Sequence, residues 1–121
     1  VRLANLLRIL IMSLIEKIKK ARQIPVPVRD FTIIVRRPTD LEWFEIKGRI
    51  NPRQLLDFVD GWDKVTEGHI INGGDPHPVP FDLDVAKAWL EDDPQLMGQV
   101  IQAVIDGYEQ HAAARGEAAK N

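Results

Sequence analysis

The stretch Val59–Phe81, VDGWDKVTEGHIINGGDPHPVPF, divides this chain into two unlike parts. It holds Trp62, adjacent glycines at 73 and 74, prolines at 76, 78 and 80, and two of the three histidines, His69 and His77. Asn72-Gly73-Gly74-Asp75-Pro76 is a turn by composition. Pro78 to Phe81 reads as extended, because a proline drives the residue before it out of the helical region. Asp63 to Ile71 has room for one short strand or hairpin arm. The stretch reads as a hinge, with mixed helix and strand before it and helix after it.

Charge divides at nearly the same place. Residues 1–53 carry 12 Lys and Arg against 5 Asp and Glu, a net of +7. Residues 54–121 carry 4 against 13, a net of −9, so the whole chain stands at −2. Solvated faces of separate helices account for this division. Pairing of the halves, internally or head to tail with another copy, is the alternative. A length of 121 residues is one domain. With 45% hydrophobic and 28% charged residues, the composition is that of a soluble globular protein rather than a disordered one. The absence of cysteine excludes disulfides and thiolate metal sites.

Before the hinge, residues 2–22 suit a helix. Leu3, Leu7, Ile11, Leu14 and Ile18 recur at spacings of three and four, and so share one face. Leu6, Ile9, Leu10 and Ile15 widen it. Such a helix needs a neighbour: the core, a second copy or a partner protein. Arg8 interrupts the apolar run, which is too short to span a bilayer. Ser13 and Glu16 form a capping-box pattern where a helix could start afresh. Met12 opens a second plausible start, so residues 1–11 read either as a helical extension or as sequence upstream of the usual start. Ile24 to Val28, with Pro25 and Pro27, is extended. Val28 to Arg36 reads as a strand burying Phe31, Ile33 and Val35. Thr39-Asp40-Leu41-Glu42 is a capping box opening a helix to about Lys47, with Leu41, Phe44 and Trp43 turned inward. Asn51-Pro52 starts another helix, which carries Leu55, Leu56 and Val59 inward and ends near Gly61.

After the hinge, Asp82 caps a helix from Leu83 to about Glu91, with Val85, Ala86, Trp89 and Leu90 on its apolar side. Asp93-Pro94 starts the longest helix, which runs to about Arg115. Its apolar face carries Met97, Ile101, Val104 and Tyr108, widened by Val100 and Ile105. Gly98 and Gly107 weaken that helix by about 1 kcal/mol each relative to alanine, which suggests close packing at those positions. The fold class is therefore α+β and predominantly helical, with four to five helices and one or two short strands. Residues 1–23 form the apolar helix, 24–111 the globular domain and 112–121 a flexible polar tail.

Chemistry is hard to assemble from these residues. His69, Asp75 and His77 lack the spacing of a metal site, and His111 is distant in sequence. Gly73-Gly74 is followed by Asp-Pro rather than by Lys and Ser or Thr, so it is no phosphate cradle. Asp82, Asp84 and Asp93 are explained as helix-terminal residues. The lone serine, Ser13, leaves no Ser-His-Asp arrangement. Arg29, Arg36, Arg37, Arg49 and Arg53 are better read as partners of the acidic half than as a nucleic-acid patch. No catalytic, metal or cofactor residue is assigned, and no enzyme activity is expected.

Three features in order carry a family likeness. Phe31–Pro38, FTIIVRRP, is followed by Thr39-Asp40-Leu41-Glu42. Then comes Val59-Asp60-Gly61-Trp62-Asp63-Lys64-Val65. Then a turn and Val79-Pro80-Phe81 lead to a helix with the pair Trp89-Leu90. Over about residues 28–110 the chain resembles the small tail assembly chaperones of long-tailed bacteriophages and prophages. Thr39, Glu42, Gly61, Trp62, Pro80, Phe81 and Trp89 are the residues that match. The loop between Trp62 and Val79 is longer than the family pattern, and the first helix is unusually apolar.

The resemblance implies a non-enzymatic protein, without cofactors, that keeps the long tape-measure protein soluble and helps recruit tail-tube subunits to it. It implies self-association and a place in the cytoplasm of the bacterial host rather than in the finished virion. Leu3, Leu7, Ile11, Leu14 and Ile18 are the candidate surface for partner binding or self-association. Neither nucleic acid nor membrane is an expected partner. The alternatives are a small prophage regulatory or nucleic-acid-associated protein using the basic half, and a peripheral membrane protein using residues 3–18.

Overall fold

A computed structural model describes residues 2–120. The chain is α+β and mostly helical: six α-helices and one three-stranded antiparallel sheet among the described residues. Helix α1 spans Arg2–Ala21. It is continuous through Ser13 and Glu16, so the capping box read there starts no new helix.

Strand β1, Gln23–Pro27, pairs antiparallel with β2, Thr32–Arg36, and β2 with β3, Val59–Asp63. The single strand read from Val28 to Arg36 is thus the turn and second arm of a hairpin. The Val28 N–H donates to the Phe31 carbonyl at 2.9 Å and closes the turn. Pro25 and Pro27 lie on β1, at the sheet edge, where a missing N–H is tolerated. Phe31, Ile33 and Val35 are buried, as the alternation requires.

Strand β3 is the larger surprise. The helix opened by Asn51-Pro52 is only α3, Pro52–Leu55, followed by a 3-10 turn at Leu56–Phe58. Val59-Asp60-Gly61-Trp62 then joins the sheet rather than ending a helix. Leu55, Leu56 and Val59 are buried, and so is Phe58, which the helical reading left out. The register shifts between Ile34 and Val35, which face Gly61 and Val59. Asp60 is the unpaired residue of this bulge.

Helix α2, Asp40–Ile46, has the expected capping box, but its inner face differs from expectation. Leu41 is 76% exposed and Phe44 70%, whereas Trp43 is half-buried. The box fixes this rotation. Glu42 Oε1 accepts from the Thr39 N–H at 3.0 Å while the Glu42 carboxylate holds the Arg36 guanidinium at 3.0 and 3.2 Å. Trp43 then stacks on Tyr108, centroids 4.5 Å apart.

Helix α4, Glu67–Ile70, stands where a strand arm was read. An isolated antiparallel bridge between Thr66 and Pro78 is all the pairing in this region. Helix α5 spans Leu83–Glu91 and α6 Pro94–Lys120. Helix α6 therefore runs through residues 112–120, beyond the Arg115 end read from sequence, with the side chains beyond Ala112 exposed. Its buried stripe is Leu96, Val100, Val104 and Gly107. That stripe lies one position from the face read as central, with Met97, Ile101 and Ile105 half-buried beside it. Helix α6 crosses β1 and β2, and α5 packs on β3 and α6. The core lies between this helical layer and the sheet.

Candidate functional site

The family-like residues fall into two groups. Trp62, on β3, stands edge-on to Phe81 at 5.1 Å and to Trp89 at 5.9 Å between ring centroids. Its indole N–H donates to the Val79 carbonyl at 2.7 Å. Gly61 lies against Ile34, and Pro80 is exposed. Residues far apart in sequence thus meet where β3, the loop end and α5 come together. Thr39 and Glu42 belong to the separate α2 cap. Both groups hold the fold rather than open a site.

Gly73 has a φ of 84°, and a Cβ on Gly74 would stand 2.8 Å from the Glu67 carbonyl oxygen. The paired glycines therefore let the loop turn back closely over α4.

Sequence reading missed one polar array. His69 Nδ1 accepts from the Thr66 N–H at 2.9 Å and lies 3.1 Å from the Thr66 hydroxyl. That bond places the ring proton on Nε2, which donates to the Asp30 carboxylate at 3.0 and 3.1 Å. The His69 bond holds the Asp30 carboxyl below its ordinary value. Hydroxyl, imidazole and carboxylate follow in the order of a nucleophile triad. The imidazole lone pair is already engaged by a backbone N–H, however, so the array caps α4 and ties it to the β1–β2 turn. The sequence signal was Thr66-x-x-His69, a capping box with His in place of Glu. Asp30 lies 39 residues away.

A second unforeseen cluster joins α2 to α6. The Tyr108 hydroxyl donates to Asp40 Oδ1 at 3.0 Å, and Arg115 forms an ion pair with Asp40 Oδ2. His111 Nε2 lies 3.5 Å from Asp40 Oδ1. The Tyr108 bond, with Arg115 behind it, holds the Asp40 carboxyl below its ordinary value. Asp40 in turn raises Arg115. Among the described residues, no group of three or more His, Asp or Glu is placed to hold a metal ion.

The arginines of the first half are divided in use. Arg53 pairs with Glu91 at 3.0 Å, across the charge divide, while Arg36 is taken up by Glu42 and lies over the Phe58 ring. Lys87 pairs with Asp57.

Besides the exposed pair Leu41 and Phe44 on α2, two surfaces remain apolar and open. On α1 no residue is buried. Leu3, Leu7, Ile11, Leu14 and Ile18 range from 76% exposed at Leu3 to 42% at Ile18. Among the described residues, no helix is long and apolar enough to cross a membrane. The other surface is a cleft of ≈ 610 Å³ between α4 and α5, where Ile70, Ile71, Val85, Ala88 and Trp89 meet the carboxylates of Asp92 and Asp93. Val85, read as core-facing, is 36% exposed and lines this cleft.

Comparison with protein-family models, with curated proteins and with solved structures finds no match to this chain.

Proposed function

We propose that this chain is a non-enzymatic tail assembly chaperone of the long-tailed phage type, acting in the cytoplasm of the bacterial host. The observation that carries the reading is α1: a 20-residue helix with ten large apolar side chains exposed, joined to a domain that has its own closed core. Such a helix offers the contact that an aggregation-prone helical client lacks, as helix against groove or helix against helix. Leu3, Leu7, Ile11, Leu14 and Ile18 form the client surface. The client is the tape-measure protein, to which tail-tube subunits are then recruited.

The order of the Arg36-Arg37-Pro38-Thr39, Gly61-Trp62 and Val79-Pro80-Phe81 segments supports the same reading. The meeting of Trp62, Phe81 and Trp89 gives two of those segments, with the Trp89-Leu90 pair, a shared structural purpose.

Co-expression with a tape-measure fragment tests the proposal. The fragment is expected to stay soluble and to co-purify with this chain, and Leu7→Glu with Leu14→Glu to abolish both effects. A fragment that remains insoluble and unbound beside the wild-type chain would overturn it.

A further inference from the structure

We infer that α1 of one copy seats in the α4–α5 cleft of a second copy. This concerns the chain without any client and does not rest on the chaperone reading.

The helix is built to be covered. At 3.6 residues per turn, Leu3, Leu7, Ile11, Leu14 and Ile18 fall within an arc of roughly 80°. Lys17 borders that arc on one side. Residues 2–22 carry six Lys and Arg against one Glu, a net of +5. The rest of the chain is correspondingly acidic. A partner surface for α1 must therefore be apolar in the middle and acidic at the rim.

The cleft has that character. Ile70, Ile71, Val85 and Trp89 give it an apolar floor, and Asp92 and Asp93 an acidic edge. Ile71 is 58% exposed, so its side chain lies open at the cleft.

Two other coverings of α1 are disfavoured by the same facts. Pairing α1 with α1 sets basic residues against basic residues in either direction: Lys17, Lys19 and Lys20 against themselves when parallel, and against Arg2 when antiparallel. Folding back of α1 onto its own domain is not what the structure shows, since none of its residues is buried. Only Arg22 separates α1 from β1, and its carbonyl accepts the Arg37 N–H at 2.9 Å. With α1 left uncovered by its own body, a second body is the one to supply the groove.

The test is the oligomeric state of the full chain, by light scattering behind size exclusion and by sedimentation over a range of concentrations. The wild-type chain is expected to associate. Leu7→Glu with Leu14→Glu removes the inserted face, and Ile71→Glu with Val85→Arg spoils the cleft. Each pair should yield a monomer with an unchanged circular dichroism spectrum, since all four positions are exposed. Mixing the two variants is the decisive arm. One keeps an intact cleft and the other an intact α1, so together they should form a one-to-one heterodimer.

Three results would overturn the inference. One is a wild-type chain that stays monomeric, including one that instead binds vesicles of anionic phospholipid through α1. Another is a cleft variant that associates as well as wild type. The third is a mixture of the two monomeric variants that remains monomeric.

Discussion

Trp62 and Phe81 meet edge to face, ring centroids 5.1 Å apart at 84°, although a loop of 18 residues separates them in sequence. This contact closes the loop that bears α4. The indole N–H bond to the Val79 carbonyl closes it a second time, 17 residues apart. The loop is thereby fastened at its mouth by one side chain.

Removing that side chain should loosen the loop and the core together. Trp62→Ala is expected to cost about 3 kcal/mol, at the low end for a large aromatic because the residue is only half-buried. Trp62→Phe keeps an edge-on ring but loses the N–H donor, and should cost about 1 kcal/mol. Urea unfolding monitored by the remaining tryptophans measures both. Equal losses for the two variants would assign the whole effect to the hydrogen bond.

The Asp40 cluster gives the fold an acid limit. The carboxyl's folded pKa lies below its ordinary value of 3.8 because Tyr108 and Arg115 bind the ionised form. A depressed folded pKa stabilises the native state above the unfolded pKa, and the benefit disappears as pH falls through the folded one. Glu42 acts in the same direction: burial raises it, but its bonds to Arg36 and Thr39 outweigh that and hold it low. Stability should therefore be steady near neutrality and fall below about pH 4. Asp40→Asn should flatten part of that fall. Thermal unfolding from pH 3 to 7 provides the comparison.

Much of this architecture is legible in the sequence, because local chemistry decides it. Capping residues Thr39, Asn51 and Asp82 each accept the backbone N–H expected of them. The alternation of Phe31, Ile33 and Val35 marks the buried face of β2. Misreadings occur where tertiary pairing outweighs local preference. Val59 to Asp63 contains Gly61 and two aspartates, a poor strand by composition, and becomes one because β2 offers a free edge. The rotation of α2 depends on Arg36, six residues from Glu42 and outside the helix. The polar clusters at Asp30 and Asp40 join residues 39 to 75 positions apart, a distance at which no spacing rule operates. The exposed face of α1 is visible in the sequence as periodicity. That nothing in its own chain buries it is visible only in the structure, where no α1 residue is buried.

Two glycines of α6, alike in sequence, should respond oppositely to substitution. A Cβ at Gly98 meets nothing within 4 Å. Gly98→Ala should therefore add about 1 kcal/mol of stability through helix propensity alone. At Gly107 a new Cβ would overlap the Ile24 side-chain tip and stand 3.3 Å from Arg37 Cβ. Gly107→Leu should cost roughly 1–3 kcal/mol by pushing α6 off β1. Calorimetric melting temperatures moving the same way in both variants would contradict the packing described for α6.

His69 decides whether the Thr66 array holds structure or does chemistry. If its work is to cap α4, its loss should be felt in the backbone. His69→Ala leaves the Thr66 N–H without its acceptor and should cost about 1 kcal/mol, as for other lost caps. The exposed contact with Asp30 adds little to that, since surface ion pairs are weak. The Thr66 amide should then exchange with solvent much faster than in wild type. Thr66→Ala, by contrast, keeps the N–H and its bond to Nδ1, so amide protection at Thr66 should stay close to wild type. A hydroxyl activated by the imidazole would instead make Thr66 reactive toward acylating reagents, in a manner abolished by His69→Ala. The 2.9 Å bond from the Thr66 N–H occupies the nitrogen such activation would need, so no reaction at Thr66 is expected.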